Sequence, residues 1–208
     1  CETWIDNTHR QWQLRQQWHT AFENLTIVTP SQWLASFVKE SMFKKNQVKV
    51  IYNGIDTNKF AQKPQCNIYK KYHIDKKKKI ILGCTISWES RKGITYFEQM
   101  AELLPIDYQI VLVGNIDEDK KKCLTQKNIV CIGRTSTLDE LVAWYQSATV
   151  FCNPTLADNF PTTNIESLAA GTPIVTFQTG GSPEAIDSNT GIVIEQRNLQ
   201  QLCEAVKQ

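Results

Sequence analysis

Residues Thr149 to Phe177 read TVFCNPTLADNFPTTNIESLAAGTPIVTF, and this stretch decides the fold. It opens on a short strand-like run, Thr149-Val150-Phe151-Cys152, and closes on another, Pro173-Ile174-Val175-Thr176-Phe177. Between them Ile165, Leu168 and Ala169 recur at helical spacing. The runs are continuous rather than alternating, which is what strands covered on both faces need. Strand, helix and strand in this order predict a parallel pair joined by a right-handed crossover.

The same unit recurs outward in both directions. Before it lie the candidate strands Ile80-Ile81-Leu82-Gly83-Cys84, Tyr108 to Val113 and Ile129-Val130-Cys131-Ile132, and after it Gly191-Ile192-Val193-Ile194. Helical stripes separate them: Ile94, Phe97, Met100, Ala101 and Leu104; then Leu138, Leu141, Val142 and Tyr145; then, after the last strand, Leu199, Leu202 and Val206. Ser136, Asp139 and Glu140 suit the start of the second stripe, where a helix favours capping side chains and acids. Alternation over six units predicts an α/β fold, a Rossmann-like, doubly wound parallel sheet. Ligands of such sheets bind at the carboxyl ends of the strands. The loops after Cys84, Val113, Ile132, Cys152 and Phe177 are therefore where chemistry is expected.

The first 55 or so residues read differently. Trp4, Trp12, Trp18 and Phe22 mark an aromatic-rich helical stretch. It leads to the strand-like Leu25-Thr26-Ile27-Val28, a helix from Gln32 to Phe43 capped by Ser31, and a strand from Val48 to Tyr52. This partial strand–helix–strand unit reads as the tail of a preceding domain, residues 1–57, with the main domain over 58–208. The chain opens Cys1-Glu2-Thr3-Trp4, without an initiating Met, which fits a fragment of a longer protein.

Composition narrows the class. The 208 residues are 41% apolar and 10% aromatic, enough for a real core, and no run nears the ~20 apolar residues of a membrane span. Net charge is only +2, so nucleic acid is not an expected partner. The excess is local: Phe60 to Lys79 holds seven Lys and one Asp, and Lys76 to Lys79 reads as a solvated turn before the strand at Ile80. Seven cysteines, an odd number with no Cys-x-x-Cys, and three scattered His point to a reducing compartment and to no metal or redox site.

Three clusters sit on the expected rim. Asn153 to Glu166 follows a strand and enters a helix, so the backbone from Asn159 to Asn164 offers N–H groups where the helix dipole favours an anion such as phosphate. Asp158 and Glu166 bracket that turn, and carboxylates take hydroxyl groups. Trp88-Glu89-Ser90-Arg91-Lys92-Gly93 places a basic pair in the first strand-to-helix loop, suited to a diphosphate. Thr179-Gly180-Gly181-Ser182-Pro183-Glu184 repeats the pattern of strand, glycine pair and helix. Each alone is also what a plain N-cap, a surface basic pair or a tight turn looks like. Together they set cations, helix ends and carboxylates on one rim.

In order along the chain stand Val28-Thr29-Pro30-Ser31; Val50 to Asp56 through Phe60; Arg91-Lys92-Gly93; Asp158 to Glu166; Ala169 to Val175; and Gly180-Gly181-Ser182-Pro183-Glu184. The ordered set resembles retaining, nucleotide-sugar-dependent glycosyltransferases of family 4 (glycosyl transferase group 1), whose GT-B architecture pairs two Rossmann-like domains. It looks most like bacterial members that build capsule, exopolysaccharide or lipopolysaccharide. The resemblance implies a donor-binding C-terminal half preceded by the tail of an acceptor-binding half.

By that resemblance the family's pair of acids, with seven residues between, falls on Asp158 and Glu166. The first acid contacts donor-sugar hydroxyls near the reacting centre and the second the nucleotide ribose. The backbone of Asn159, Phe160, Pro161 and Thr162, with Thr163 beside it, would lie along sugar and diphosphate. Lys92 with Arg91 would grip the diphosphate, and Arg134 and Thr135 would hold the base. Gly180, Gly181 and Glu184 would complete the donor site. Catalytic roles are thus expected for Asp158, Glu166, Lys92 and Arg91, with no metal and no cofactor beyond the donor.

Two departures stand out: Asp158 replaces the usual Glu, and Gly83-Cys84 replaces a usual Gly-Arg. The expected activity is hexosyl transfer to a glycan or lipid-linked acceptor, cytoplasmic and at the inner face of the bacterial plasma membrane, with a peripheral membrane contact permitted. The 208 residues alone are expected to be inactive. Two alternatives are a non-catalytic nucleotide-binding module of the same fold, and a sugar-phosphate synthase or phosphorylase of the same architecture.

Overall fold

A computed structural model describes residues 6–22 and 24–208. The chain divides into two compact units between Tyr52 and Asn53. In the first, α1 (Thr8–Thr20), β1 (Thr26–Thr29), α2 (Gln32–Glu40) and β2 (Gln47–Val50) follow in order. The two strands pair in parallel, Ile27 opposite Val48. Ser31 caps α2 as expected, its hydroxyl accepting from the Leu34 N–H at 3.1 Å. The helix ends three residues earlier than Phe43, because Ser41 turns extended and bonds back to Val38. Trp4 and Cys1 lie outside the described residues.

The second unit holds α3 (Thr57–Ala61), α4 (Ile68–Lys71), β3 (Lys79–Ser87), α5 (Ile94–Leu103), β4 (Tyr108–Asn115), α6 (Glu118–Gln126) and β5 (Val130–Ile132). It continues with α7 (Leu138–Ser147), β6 (Val150–Asn153), α8 (Thr162–Ala169), β7 (Ile174–Phe177), β8 (Gly191–Ile194) and α9 (Leu199–Ala205). The sheet order is β5-β4-β3-β6-β7-β8, with every pairing parallel. The chain winds outward from β3 through β4 to β5, then returns to β6 and winds the other way. The strand order reverses between β3 and β6, where Ile81 pairs with Val150.

Continuous apolar strands make sense in this frame. Side chains point alternately to the two faces. Ile81, Ile110 and Leu112 enter the cluster containing Phe97, Met100 and Leu202 of α5 and α9. Their neighbours Leu82, Val111 and Val113 enter the opposite cluster, with Trp144 and Tyr145 of α7. Both layers are dry: Phe97, Phe151, Trp144 and Tyr145 are wholly buried. Truncating any one to Ala is expected to cost about 3–5 kcal/mol.

Three elements differ from the sequence reading. The segment 60–79 holds two short helices that anchor it, with Phe60, Ile68 and Ile74 buried; its lysines masked these apolar anchors, although Lys76 and Lys77 do form an exposed turn. Helix α6 buries only Leu124 and shows little apolar stripe. The glycine-pair cluster leads into a four-residue 3-10 turn, Ser182–Ala185, not an α-helix. One of the two anion-ready helix ends is thus absent, because the chain turns extended at Ile186 after a single 3-10 turn.

Candidate functional site: a cleft at the strand reversal

The loops after β3 and β6 meet at the point where the strand order reverses, the usual ligand crevice of such sheets. Ser90–Lys92 forms one 3-10 turn after β3, closed by Gly93 at φ 78°. A Cβ on Gly93 would sit 2.1 Å from the Pro154 carbonyl oxygen, so only glycine lets the two loops touch. Leu156 N–H then donates to the Arg91 carbonyl at 2.7 Å, locking them together.

That contact sets Lys92 against Asp158. Its Nζ lies 2.6 Å from Asp158 Oδ2, with the side chains 20% and 17% exposed. The Asp158 backbone is fixed from behind. Gly181 N–H donates to the Asp158 carbonyl at 3.2 Å, and a Cβ on Gly180, at φ 55°, would lie 1.9 Å from that same oxygen. The glycine pair therefore serves close approach, to Asp158 itself.

Helix α8 starts at Thr162, behind Pro161. The Asn164 N–H of its first turn donates to the Pro161 carbonyl at 3.2 Å, while the Thr162 and Thr163 amides ahead of it have no acceptor within the helix and carry its positive dipole end. Asn164, wholly buried, holds that turn in place: its side chain accepts from Asn153 Nδ2 at 2.8 Å and donates to the Ser182 carbonyl at 3.1 Å. Asn53 donates to the Phe160 carbonyl at 3.3 Å and steadies the approach to it.

One turn into α8, Glu166 accepts from the Tyr145 hydroxyl at 2.9 Å. Burial pushes the Glu166 carboxyl above its ordinary value, opposed in part by that bond. The Tyr145 phenol, fully enclosed, is pushed well up by burial and by the nearby charge. Cys84 also bonds to Tyr145, and burial drives its thiol up to about 12. It is thus a neutral thiol, not a nucleophile.

These groups line two hollows of ≈ 220 Å³ and ≈ 230 Å³ that share Cys84, Thr85, Ile86, Thr162 and Thr163. The first adds Lys92, Asp158, Phe160 and Pro161, over a floor that includes Trp88, whose Nε1 donates to the Val113 carbonyl at 3.1 Å. The second adds Arg134, Thr135 and Glu166. Joined, they reach the size of a small-molecule site. Asp158 and Glu166 thus face different halves of one cleft, with the α8 amides between them.

Other expected residues stand outside the cleft walls. Arg91 is exposed, its Nε donating to Glu89 at 2.9 Å and its guanidinium reaching the Ala157 carbonyl at 3.5 Å. Asn159 is exposed, Gly180 and Gly181 lie behind Asp158, and neither they nor Glu184 are on the lining. Among the described residues no group of three or more His, Cys, Asp or Glu could hold a metal ion. Sequence reasoning missed Tyr145, Asn164 and Asn53 as site-builders. Tyr145 was visible as a tyrosine inside an apolar stripe, and a buried phenol requires a partner.

Fold and cleft together define a doubly wound α/β domain whose strand reversal carries a cleft lined by a lysine, two carboxylates and a helix N-terminus. A family model described as glycosyl transferases group 1 matches residues 77–208, and the chain belongs to that family. It is 28% identical over 184 residues to the N,N'-diacetylbacillosaminyl-diphospho-undecaprenol alpha-1,3-N-acetylgalactosaminyltransferase of Campylobacter jejuni, covering 83% of this chain and 47% of that protein. It is 24% identical over 209 residues to the lipopolysaccharide core biosynthesis mannosyltransferase LpsB of Rhizobium meliloti, covering 91% and 58%. The chain spans about half the length of these relatives. Among solved structures, Anabaena HepE in complex with UDP superposes with a TM-score of 0.77 at 18% identity, covering 96% of this chain and 57% of that one. At that identity the likeness establishes the GT-B fold.

Proposed function

We propose that this chain is the donor-binding half of a retaining glycosyltransferase. The whole protein would move a hexose from a nucleoside-diphosphate sugar to a glycan or lipid-linked acceptor in bacterial surface-polysaccharide synthesis. One observation carries the reading: Lys92, the α8 amides, Asp158 and Glu166 converge on a single cleft at the strand reversal. The HepE structure is a complex with UDP, and the Campylobacter relative is named for a lipid-linked acceptor. Both support this ligand class.

In this reading the diphosphate lies over the first turn of α8, with Lys92 and the helix dipole taking the charge that develops on the leaving group. Asp158 orients sugar hydroxyls, and Glu166 accepts from the ribose. Arg134 and Thr135 lie on the wall beside Glu166, where a base would rest. The cleft's cations and dipole do this work without calling for a metal.

Among the described residues no helix is long and apolar enough to cross a membrane. We place the whole protein in the cytoplasm, with a peripheral contact at the inner membrane face where lipid-linked acceptors sit; exposed Trp12 and Trp18 suit such a contact. The test is a thermal-shift screen with UDP, GDP, ADP and their hexose conjugates, since a ligand of the folded state raises the melting temperature. One of the three is expected to shift it; no shift from any would overturn the reading.

A further inference from the structure

Lys92 and Asp158 are both candidate ligand groups, yet they occupy each other. Nζ and Oδ2 lie 2.6 Å apart, and each side chain is about four-fifths buried. A phosphate arriving over α8 needs the Lys92 ammonium, so it must take that cation from the carboxylate. Once it does, Asp158 stands as an unpaired anion beside an anionic ligand.

The two partners are not equally free to move. Asp158 is held at its backbone by Gly181 N–H, with Gly180 pressed against the same carbonyl. Lys92 carries its charge on a flexible four-carbon stem. Lys92 is therefore the group that swings, and Asp158 stays. A ligand that is only a diphosphate leaves the carboxylate unsatisfied and repelling it, and like charges set together cost several kcal/mol. A ligand carrying sugar hydroxyls donates hydrogen bonds to Asp158 and replaces the lost partner.

We infer that the Lys92–Asp158 ion pair makes the cleft select an intact nucleotide sugar over the bare nucleoside diphosphate. This rests on the donor-site reading above and adds a consequence for turnover. When the sugar leaves, Asp158 loses its hydroxyl donors, recaptures Lys92 and helps to expel the diphosphate product. The pair thus opposes product inhibition.

The experiment is calorimetric titration of the 208-residue chain and of its Asp158→Asn variant. The titrants are UDP, GDP and ADP, each followed by its hexose conjugate, with unliganded melting as the control for folding. For the base that binds, Asp158→Asn is expected to tighten the bare diphosphate by about tenfold or more, the scale of a partly screened like-charge contact. It is also expected to lose most of the wild-type preference for the sugar conjugate. Unchanged or weaker diphosphate binding by a folded Asp158→Asn chain would overturn the inference and leave the donor-site reading standing. Failure of every nucleotide to bind either chain would remove the donor-site reading, and the inference with it.

Discussion

Two glutamates on adjacent helices, Glu140 and Glu166, are built in opposite ways. Glu140, near the start of α7, is 2% exposed and accepts from Lys71 and Tyr72 on one oxygen and from the Ser136 N–H and hydroxyl on the other. Burial alone would push its carboxyl up, but those four bonds outweigh it and draw it down to about 2. Glu166, in α8, has among the described residues one donor, Tyr145, and its carboxyl rises. A fully satisfied carboxylate is a fastener: this one pins the lysine-rich segment to helix α7. An under-satisfied one in a cleft keeps acceptor capacity for a ligand.

The largest effects should fall on the under-satisfied side. In the full-length enzyme, Glu166→Ala and Lys92→Ala are each expected to lower turnover by about 100-fold or more, the scale of losing one preorganised transition-state contact. Wild-type transfer by either variant would break the comparison. Glu140→Ala is expected to leave nucleotide affinity unchanged within error while costing about 3 kcal/mol in a urea titration. That is the lower end for a broken buried pair, because Lys71 is half-exposed and can hydrate.

Acid sharpens the contrast through its sign. Glu140 titrates lower in the folded chain than its ordinary 4.5. Its contribution is complete above about pH 5 and fades as pH falls toward 2, a loss of about 2–3 kcal/mol after allowance for the half-exposed Lys71. Glu166 titrates higher when folded, so its charge costs stability at neutral pH and the cost lifts on acidification. Glu140→Gln should therefore lower the melting temperature at pH 7 and flatten its fall in acid. Glu166→Gln should raise it slightly at pH 7 while losing ligand. Matching signs from the two variants would show that they do not belong to different classes.

Much of this was legible in the sequence. Strands β3, β4, β6, β7 and β8 lie within a few residues of the runs read from Ile80 to Ile194, because buried parallel strands must be continuously apolar. That Lys92, Asp158, Glu166 and Arg134 line one cleft was legible too, because all four follow strands of this sheet at their carboxyl ends. What stayed hidden depends on contacts between distant segments. Helices α3 and α4 are too short for periodicity to register, and α6 buries one leucine. Asp139 and Glu140 read as helix-start acids and do lie in the first turn of α7, but neither caps it: Thr137 accepts from the Glu140 N–H. Asp139 instead accepts from the amides of Gln65 and Cys66, more than seventy residues back.

The smallest expected effect tests how Glu166 is held. Tyr145→Phe keeps the ring wholly buried between Phe60 and Phe151 and deletes only the hydroxyl. The packing survives, so stability should fall by about 2 kcal/mol, the scale of a hydrogen bond to a charged group, the weak bond with Cys84 adding little. The carboxylate loses the bond that opposed its upward shift, so Glu166 takes up its proton at a higher pH than in the wild type. A protonated Glu166 accepts less well from a ribose hydroxyl. Nucleotide affinity measured down a pH series should therefore begin to fall at a higher pH in Tyr145→Phe, with the affinity at alkaline pH nearly unchanged. A uniform loss at every pH would make Tyr145 a packing residue and leave Glu166 to orient itself.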